Sequence, residues 1–130
     1  KLMYSADSGK TWTYLGTNVF TDIAVSPQMP AMALAVKNSQ LLLTKDAFKT
    51  TTKIKTSLKI TQIEWRKSGL YALSGSSLYK STNIGRTWTE LRAFNGSPGI
   101  LSASDQLMLV TVGSDIYTSK NNGKKFQLDF

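Results

Sequence analysis

Cysteine and histidine are both missing from this 130-residue sequence. Their absence removes disulfides, thiolate nucleophiles, zinc sites built from the usual ligands and every histidine-dependent triad. Zero cysteines leave the redox compartment open, because reducing and oxidising surroundings both permit it. Arginine is scarce, with only Arg66, Arg86 and Arg92. Long apolar runs are missing too. The longest, residues 29–36, is interrupted by Pro30 and falls far short of the roughly 20 residues of a membrane-spanning helix. No signal-peptide pattern opens the chain, which starts at Lys1 rather than Met, so processing or excision from something longer is expected. Walker, Rossmann and EF-hand patterns do not occur.

What the sequence does have is lysine and period. Lys and Arg number 16 against 8 Asp and Glu, a net charge of +8. That balance favours acidic partners without choosing among nucleic acid, anionic glycan and a negatively charged surface. Half of the basic residues fall between positions 37 and 67: Lys37, Lys45, Lys49, Lys53, Lys55, Lys59, Arg66 and Lys67. They face only Asp46 and Glu64 there. The functional reading is a footprint for an anionic polymer. The structural reading is edge protection, since Lys53 and Lys55 fall on an expected outer strand. Interleaved aromatics of a single-strand binder are lacking, so nucleic acid is not the expected partner.

Four segments repeat, and repeats decide the fold. They are Ser5-Ala6-Asp7-Ser8-Gly9-Lys10-Thr11-Trp12, Thr44-Lys45-Asp46-Ala47-Phe48-Lys49-Thr50-Thr51, Ser81-Thr82-Asn83-Ile84-Gly85-Arg86-Thr87-Trp88 and Ser119-Lys120-Asn121-Asn122-Gly123-Lys124-Lys125-Phe126. Their starts are 39, 37 and 38 residues apart. A short apolar strand precedes each segment and a Thr- or aromatic-rich one follows it. Two further strand-like runs lie upstream, separated by turn residues. Four short strands per period leave no room for a helix, and match one blade of a propeller. Within each segment, a Ser or Thr hydroxyl and an Asp or Asn side chain can bond nearby backbone N–H groups and fix a tight turn. Glycine supplies a positive φ, and the closing aromatic is expected to pack between blades. The second segment departs, with Phe48 at the glycine position and Thr51 at the aromatic one, which leaves room for a different turn.

These residues resemble the BNR, or Asp-box, repeat of sialidases, xyloglucan-degrading glycosidases, sortilin-type receptors, photosystem assembly factors and phage proteins. The resemblance covers essentially the whole chain. It implies an all-β fold of four-stranded antiparallel blades, with the boxes on turns between third and fourth strands, away from the ligand-binding mouth. It therefore implies structural roles for Ser5, Asp7, Gly9, Thr11, Trp12, Thr44, Asp46, Ser81, Asn83, Gly85, Thr87, Trp88, Ser119, Asn121, Gly123 and Phe126. WD40 repeats have a similar period, but their Gly-His and Trp-Asp signatures are missing.

The phasing gives about three and a half blades: a half blade at 1–15, then blades at about 20–55, 60–94 and 98–130. The last outer strand is expected at Phe126-Gln127-Leu128-Asp129-Phe130. Closed propellers usually have about four to eight blades, so a partner or additional blades are expected to complete this one. Sialidase chemistry needs an arginine cluster and a Tyr–Glu pair that are not discernible, and no pair of carboxylates stands out for glycoside hydrolysis. No cofactor is implied.

One blade breaks the pattern of its neighbours. Aligning the expected innermost strands sets Glu64 beside Ala24 and Leu101, Trp65 beside Val25 and Ser102, and Arg66 beside Ser26 and Ala103. Glu64 and Arg66 then share one side of the strand. They either flank a channel-side binding spot with Trp65, or form an ion pair within the blade while Trp65 packs in the core. The sequence thus points to a non-catalytic binding or structural propeller segment with a protein or glycan partner. By resemblance its home is a phage virion or a secreted protein. The alternatives are the non-catalytic part of a larger sialidase- or xyloglucanase-type glycosidase, and an assembly chaperone.

Overall fold

The computed structural model describes residues 1–129. Phe130, which closes the expected last strand, lies outside the described residues. All the regular structure there is β, in fourteen short strands. A two-stranded half blade comes first, β1 (Leu2–Tyr4) and β2 (Thr13–Gly16). The first full blade holds β3 (Asp22–Val25), β4 (Ala33–Lys37), β5 (Gln40–Thr44) and β6 (Thr52–Ile54). The second holds β7 (Ile60–Arg66), β8 (Gly69–Ser74), β9 (Ser77–Ser81) and β10 (Thr89–Ala93). The third holds β11 (Pro98–Ala103), β12 (Met108–Val112), β13 (Asp115–Ser119) and β14 (Gln127–Leu128). Each full blade is an antiparallel meander in chain order. Contact between blades runs mainly through the first strands, β3 to β7 and β7 to β11. Among the described residues, no helix is long and apolar enough to cross a membrane.

Register assigns every strand residue to a face. In the first blade Ala24, Leu34, Leu43 and Thr52 form one row and Asp22, Val36, Leu41 and Ile54 the next. This face meets Ile60, Ile63, Leu70 and Ala72 of the second blade in one buried cluster. Tyr71, Leu73 and Leu78, from the second blade's far face, join Leu101, Ala103, Met108, Val110 and Phe126 of the third in another. Each fully buried Leu, Ile or Val contributes about 1.5–3 kcal/mol of transfer free energy. The two clusters therefore hold the three blades together as one stack.

Register also corrects the sequence alignment. Glu64 pairs with Tyr71 and Tyr71 with Lys80, just before the box at Ser81. The matching ladder in the third blade runs from Ser102 through Leu109 to Thr118, just before Ser119. Ser102, not Leu101, is thus the counterpart of Glu64; Ala103 matches Trp65 and Ser104 matches Arg66. The one-residue error traces to an irregularity between Pro98 and Leu101 that no sequence pattern announces.

The two ends of the stack differ. On the half blade Met3, Trp12 and Tyr14 share a face and are 43%, 60% and 52% exposed. On the third blade the outward rows carry Ser102, Thr111, Thr118, Gln127 and Asp129 around Leu109, Ile116 and the 55% exposed Ile100. Its polar groups satisfy one another. The Thr118 hydroxyl donates to Asp129 Oδ2, Gln127 Nε2 donates to Asp129 Oδ1 at 2.8 Å, and Thr111 Oγ1 accepts the Ile100 N–H at 3.0 Å.

Candidate functional site

The four boxes build the same turn four times, each joining the last two strands of its sheet. In the first, Ser5 Oγ accepts the Gly9 N–H at 2.8 Å and Asp7 Oδ1 accepts the Thr11 N–H at 2.8 Å. Ser81 and Asn83 serve Gly85 and Thr87 at 2.9 Å each. Ser119 and Asn121 serve Gly123 and Lys125 at 2.9 and 2.8 Å. The second box is not the exception its sequence suggests. Thr44 Oγ1 accepts the Phe48 N–H at 2.8 Å and Asp46 Oδ1 accepts the Thr50 N–H at 2.9 Å. Phe48 accordingly takes φ = +66°, where Gly85 has +79°. The hydrogen bonds outweigh the roughly 1–2 kcal/mol that a left-handed non-glycine residue costs. Phe48 also rests on Phe20, with ring centroids 5.5 Å apart.

The closing aromatics report what lies in front of each blade. Trp88 packs against the first cluster and Phe126 is buried in the second. Trp12 has no such layer in this chain and stands exposed, its indole N–H donating to the Gly9 carbonyl at 3.0 Å. Thr51 is exposed as well. The box residues are thus spread over four turns and converge on no common pocket.

Glu64 and Arg66 do meet, at 3.2 Å between Oε2 and Nη2. Trp65 points the opposite way, half-buried against the first cluster. With side chains 36% and 24% exposed, the Arg66–Glu64 pair contributes no more than about 1 kcal/mol. Burial pushes the Glu64 carboxyl above its ordinary range, against the opposing pull of Arg66, while Asp22 raises it further. Glu64 therefore favours folding most in acid, and that contribution is lost as pH rises through its raised value.

A feature the sequence reading missed links the blades. Asp22 Oδ2 accepts the Ile63 N–H of the second blade at 2.8 Å. One blade on, Gln62 Oε1 accepts the Leu101 N–H at 3.1 Å. Asp22 pairs with Val36, and Gln62 pairs with Leu73, the counterpart of Val36, so both acceptors occupy the same place on their first strands. The repeat of an acceptor there was the available signal.

The boxes differ in their response to acid. The Thr11 hydroxyl and then its N–H hold Asp7 below the usual carboxylate range, and Thr50 does the same for Asp46. Stabilisation from a lowered carboxyl is complete above its unfolded value, near 3.8, and is lost as pH falls through the native one. Asn83 and Asn121 do not titrate. In an amide NMR titration, Thr11 and Thr50 are therefore expected to shift together below pH 3.8, while Thr87 and Lys125 stay put. Four amides moving alike would contradict this assignment.

No family model matches the sequence, and no curated protein matches it. Solved structures do. YCF48 from Cyanidioschyzon merolae superposes with a TM-score of 0.71 at 18% identity, over 85% of this chain and 36% of that one. YCF48 bound to a D1 peptide gives 0.70 at 15% identity, over 97% of this chain and 46% of that one. PorZ, a bacterial surface component of the type-IX secretion system of Porphyromonas gingivalis, gives 0.66 at 19%, over 84% and 15%. The chain spans less than half the length of each. At such identities the likeness shows the fold alone, a β-propeller, of which this chain supplies three blades and a half.

Proposed function

We infer that this chain is a non-catalytic binding segment of a propeller, and that its open half blade is where protein docks. The observation that carries this reading is the apolar surface left at that end. Ile23 is 36% exposed, whereas its counterparts Ile63 and Leu101 are 2% and 4% exposed; Val25 is 59% exposed, whereas its third-blade counterpart Ala103 is 5% exposed. The half blade lacks the two inner strands that would cover them, and β1 keeps an unpaired edge. Further blades, or a strand-bearing partner, would fill that place. The bound D1 peptide in one YCF48 structure supports protein as the ligand class for this fold.

The carboxylates support the non-catalytic half of the reading. Asp7, Asp46 and Asp129 hold turns or a strand end, Asp22 joins two blades, and Glu64 pairs with Arg66. Glu90, Asp105 and Asp115 are scattered over the second and third blades. A virion or secreted protein is the setting the reading fits, following the Asp-box resemblance.

Light scattering on the 14.3 kDa chain, with its far-UV spectrum, tests this. A β-rich spectrum with a discrete mass above the monomer is expected, falling to the monomer when Val25 is replaced by lysine. A folded monomer at all concentrations would defeat the proposal.

A further inference from the structure

Residues 55–59, which lead from β6 to β7, form a ridge with a depression on either side. One depression, about 470 Å³, is lined by Asn38, Ser39, Gln40, Lys53 and Lys59 together with the ridge. The other, about 450 Å³, is lined by Lys55, Tyr79, Arg86, Thr87 and Trp88 together with the ridge. Thr56, Ser57 and Leu58 belong to both. Neither lining contains an Asp or Glu. The equivalent connections elsewhere, residues 17–21 and 94–97, carry no charge at all. The concentration of lysine at this junction is thus a departure from the repeat rather than a property of it.

Edge protection accounts for Lys53, which lies on the outer strand β6. It does not account for Lys55 and Lys59, which lie beyond the strand, or for paired hollows between them. Each hollow falls within the few hundred Å³ of small-ligand sites. Their walls combine fixed positive charge with amides and hydroxyls, and the second adds the half-buried rings of Tyr79 and Trp88. The Trp88 indole N–H is buried without a hydrogen-bond partner.

The geometry points to an acidic polysaccharide as the ligand, lying across the ridge with one sugar in each hollow. Lysines and Arg86 meet its sulfates or carboxylates. The amides and hydroxyls exchange hydrogen bonds with ring hydroxyls, and Tyr79 and Trp88 offer apolar surface to a pyranose face. A single-stranded nucleic acid suits the place less well. Binding along such a strand needs a row of aromatic platforms for successive bases, and Tyr79 and Trp88 both lie in one hollow while the other has none. The site shares no residue with the half-blade edge, so it stands or falls separately from the docking of protein there.

Calorimetric titration of the chain, with the Trp88 indole N–H followed by NMR, tests the inference. The probes are a chondroitin sulfate hexasaccharide, a galacturonic acid hexamer, maltohexaose and oligothymidylate. At least one acidic hexasaccharide is expected to bind and to move the Trp88 signal, and whether one or both do so identifies the anion. Maltohexaose is expected to do neither. Replacing Lys55 and Arg86 by glutamine should weaken binding about tenfold or more. The same change at Lys124 and Lys125, exposed on the box turn of the third blade, should leave it within about twofold, a margin well under 1 kcal/mol. Equal losses in both variants would reduce the effect to net charge and overturn the site. So would tighter binding of oligothymidylate, equal binding of maltohexaose, or no binding by either acidic probe.

Discussion

Replacing Gly85 by alanine is expected to destabilise the chain by about 2–4 kcal/mol, read as a lowered urea midpoint. Two effects add. The residue sits at φ = +79°, a conformation alanine adopts at a cost. A Cβ built there would lie 2.6 Å from Leu41 Cδ2 and 3.2 Å from Trp88 Cζ2. Leu41 is fully buried and cannot swing aside. Gly9 is the built-in control, because its added Cβ would meet only Trp12, at 3.6 Å and exposed. Gly9→Ala should therefore show only the backbone cost, about 1 kcal/mol. Equal effects at the two glycines would mean that glycine serves only the turn, and that close approach of blades is not what requires it.

Leu41→Ala is the second large effect, with an expected loss of about 2–5 kcal/mol for a fully buried leucine. The informative measurement is the double variant. Leu41→Ala removes the atom that the new Cβ at Gly85 would strike, and that Cβ in turn occupies part of the space left behind. The two losses should therefore fall short of additive by about 1–3 kcal/mol. Strict additivity would show that the first and second blades do not press on each other at this point.

These contacts also explain which parts of the molecule were legible beforehand. The box residues interact within eight positions of one another, so the spacing of the three regular boxes carried their turn geometry. Alternation on β7 likewise brought Glu64 and Arg66 to one side, where they pair. Long-range consequences were not written locally. Phe48 left room for a different turn, yet the Thr44 and Asp46 hydrogen bonds impose the common one and Phe20 receives the ring. Trp12 and Trp88 occupy the same box position and have opposite fates, because burial depends on a neighbouring blade rather than on the motif. Asp22 and Gln62 could not be read as partners of Ile63 and Leu101, since those hydrogen bonds span 41 and 39 residues. The third blade's first strand slipped by one position because its irregularity leaves no mark in composition.

The hydrogen-bonded polar groups on the outward face of the third blade have a consequence for assembly. Exposed strand edges usually threaten runaway fibre growth, which needs the leading surface of one copy to fit the trailing surface of the next. Here a head-to-tail contact would press Met3, Trp12 and Tyr14 onto Thr118, Gln127 and Asp129, groups already engaged with one another. Such a contact would strip hydrogen-bonded polar atoms of water and give them nothing in exchange. The half-blade end is thus better matched to its like in a second copy, or to another partner, than to the outward face of the third blade. Whatever covers these two faces in a longer chain, head-to-tail stacking of this segment is disfavoured.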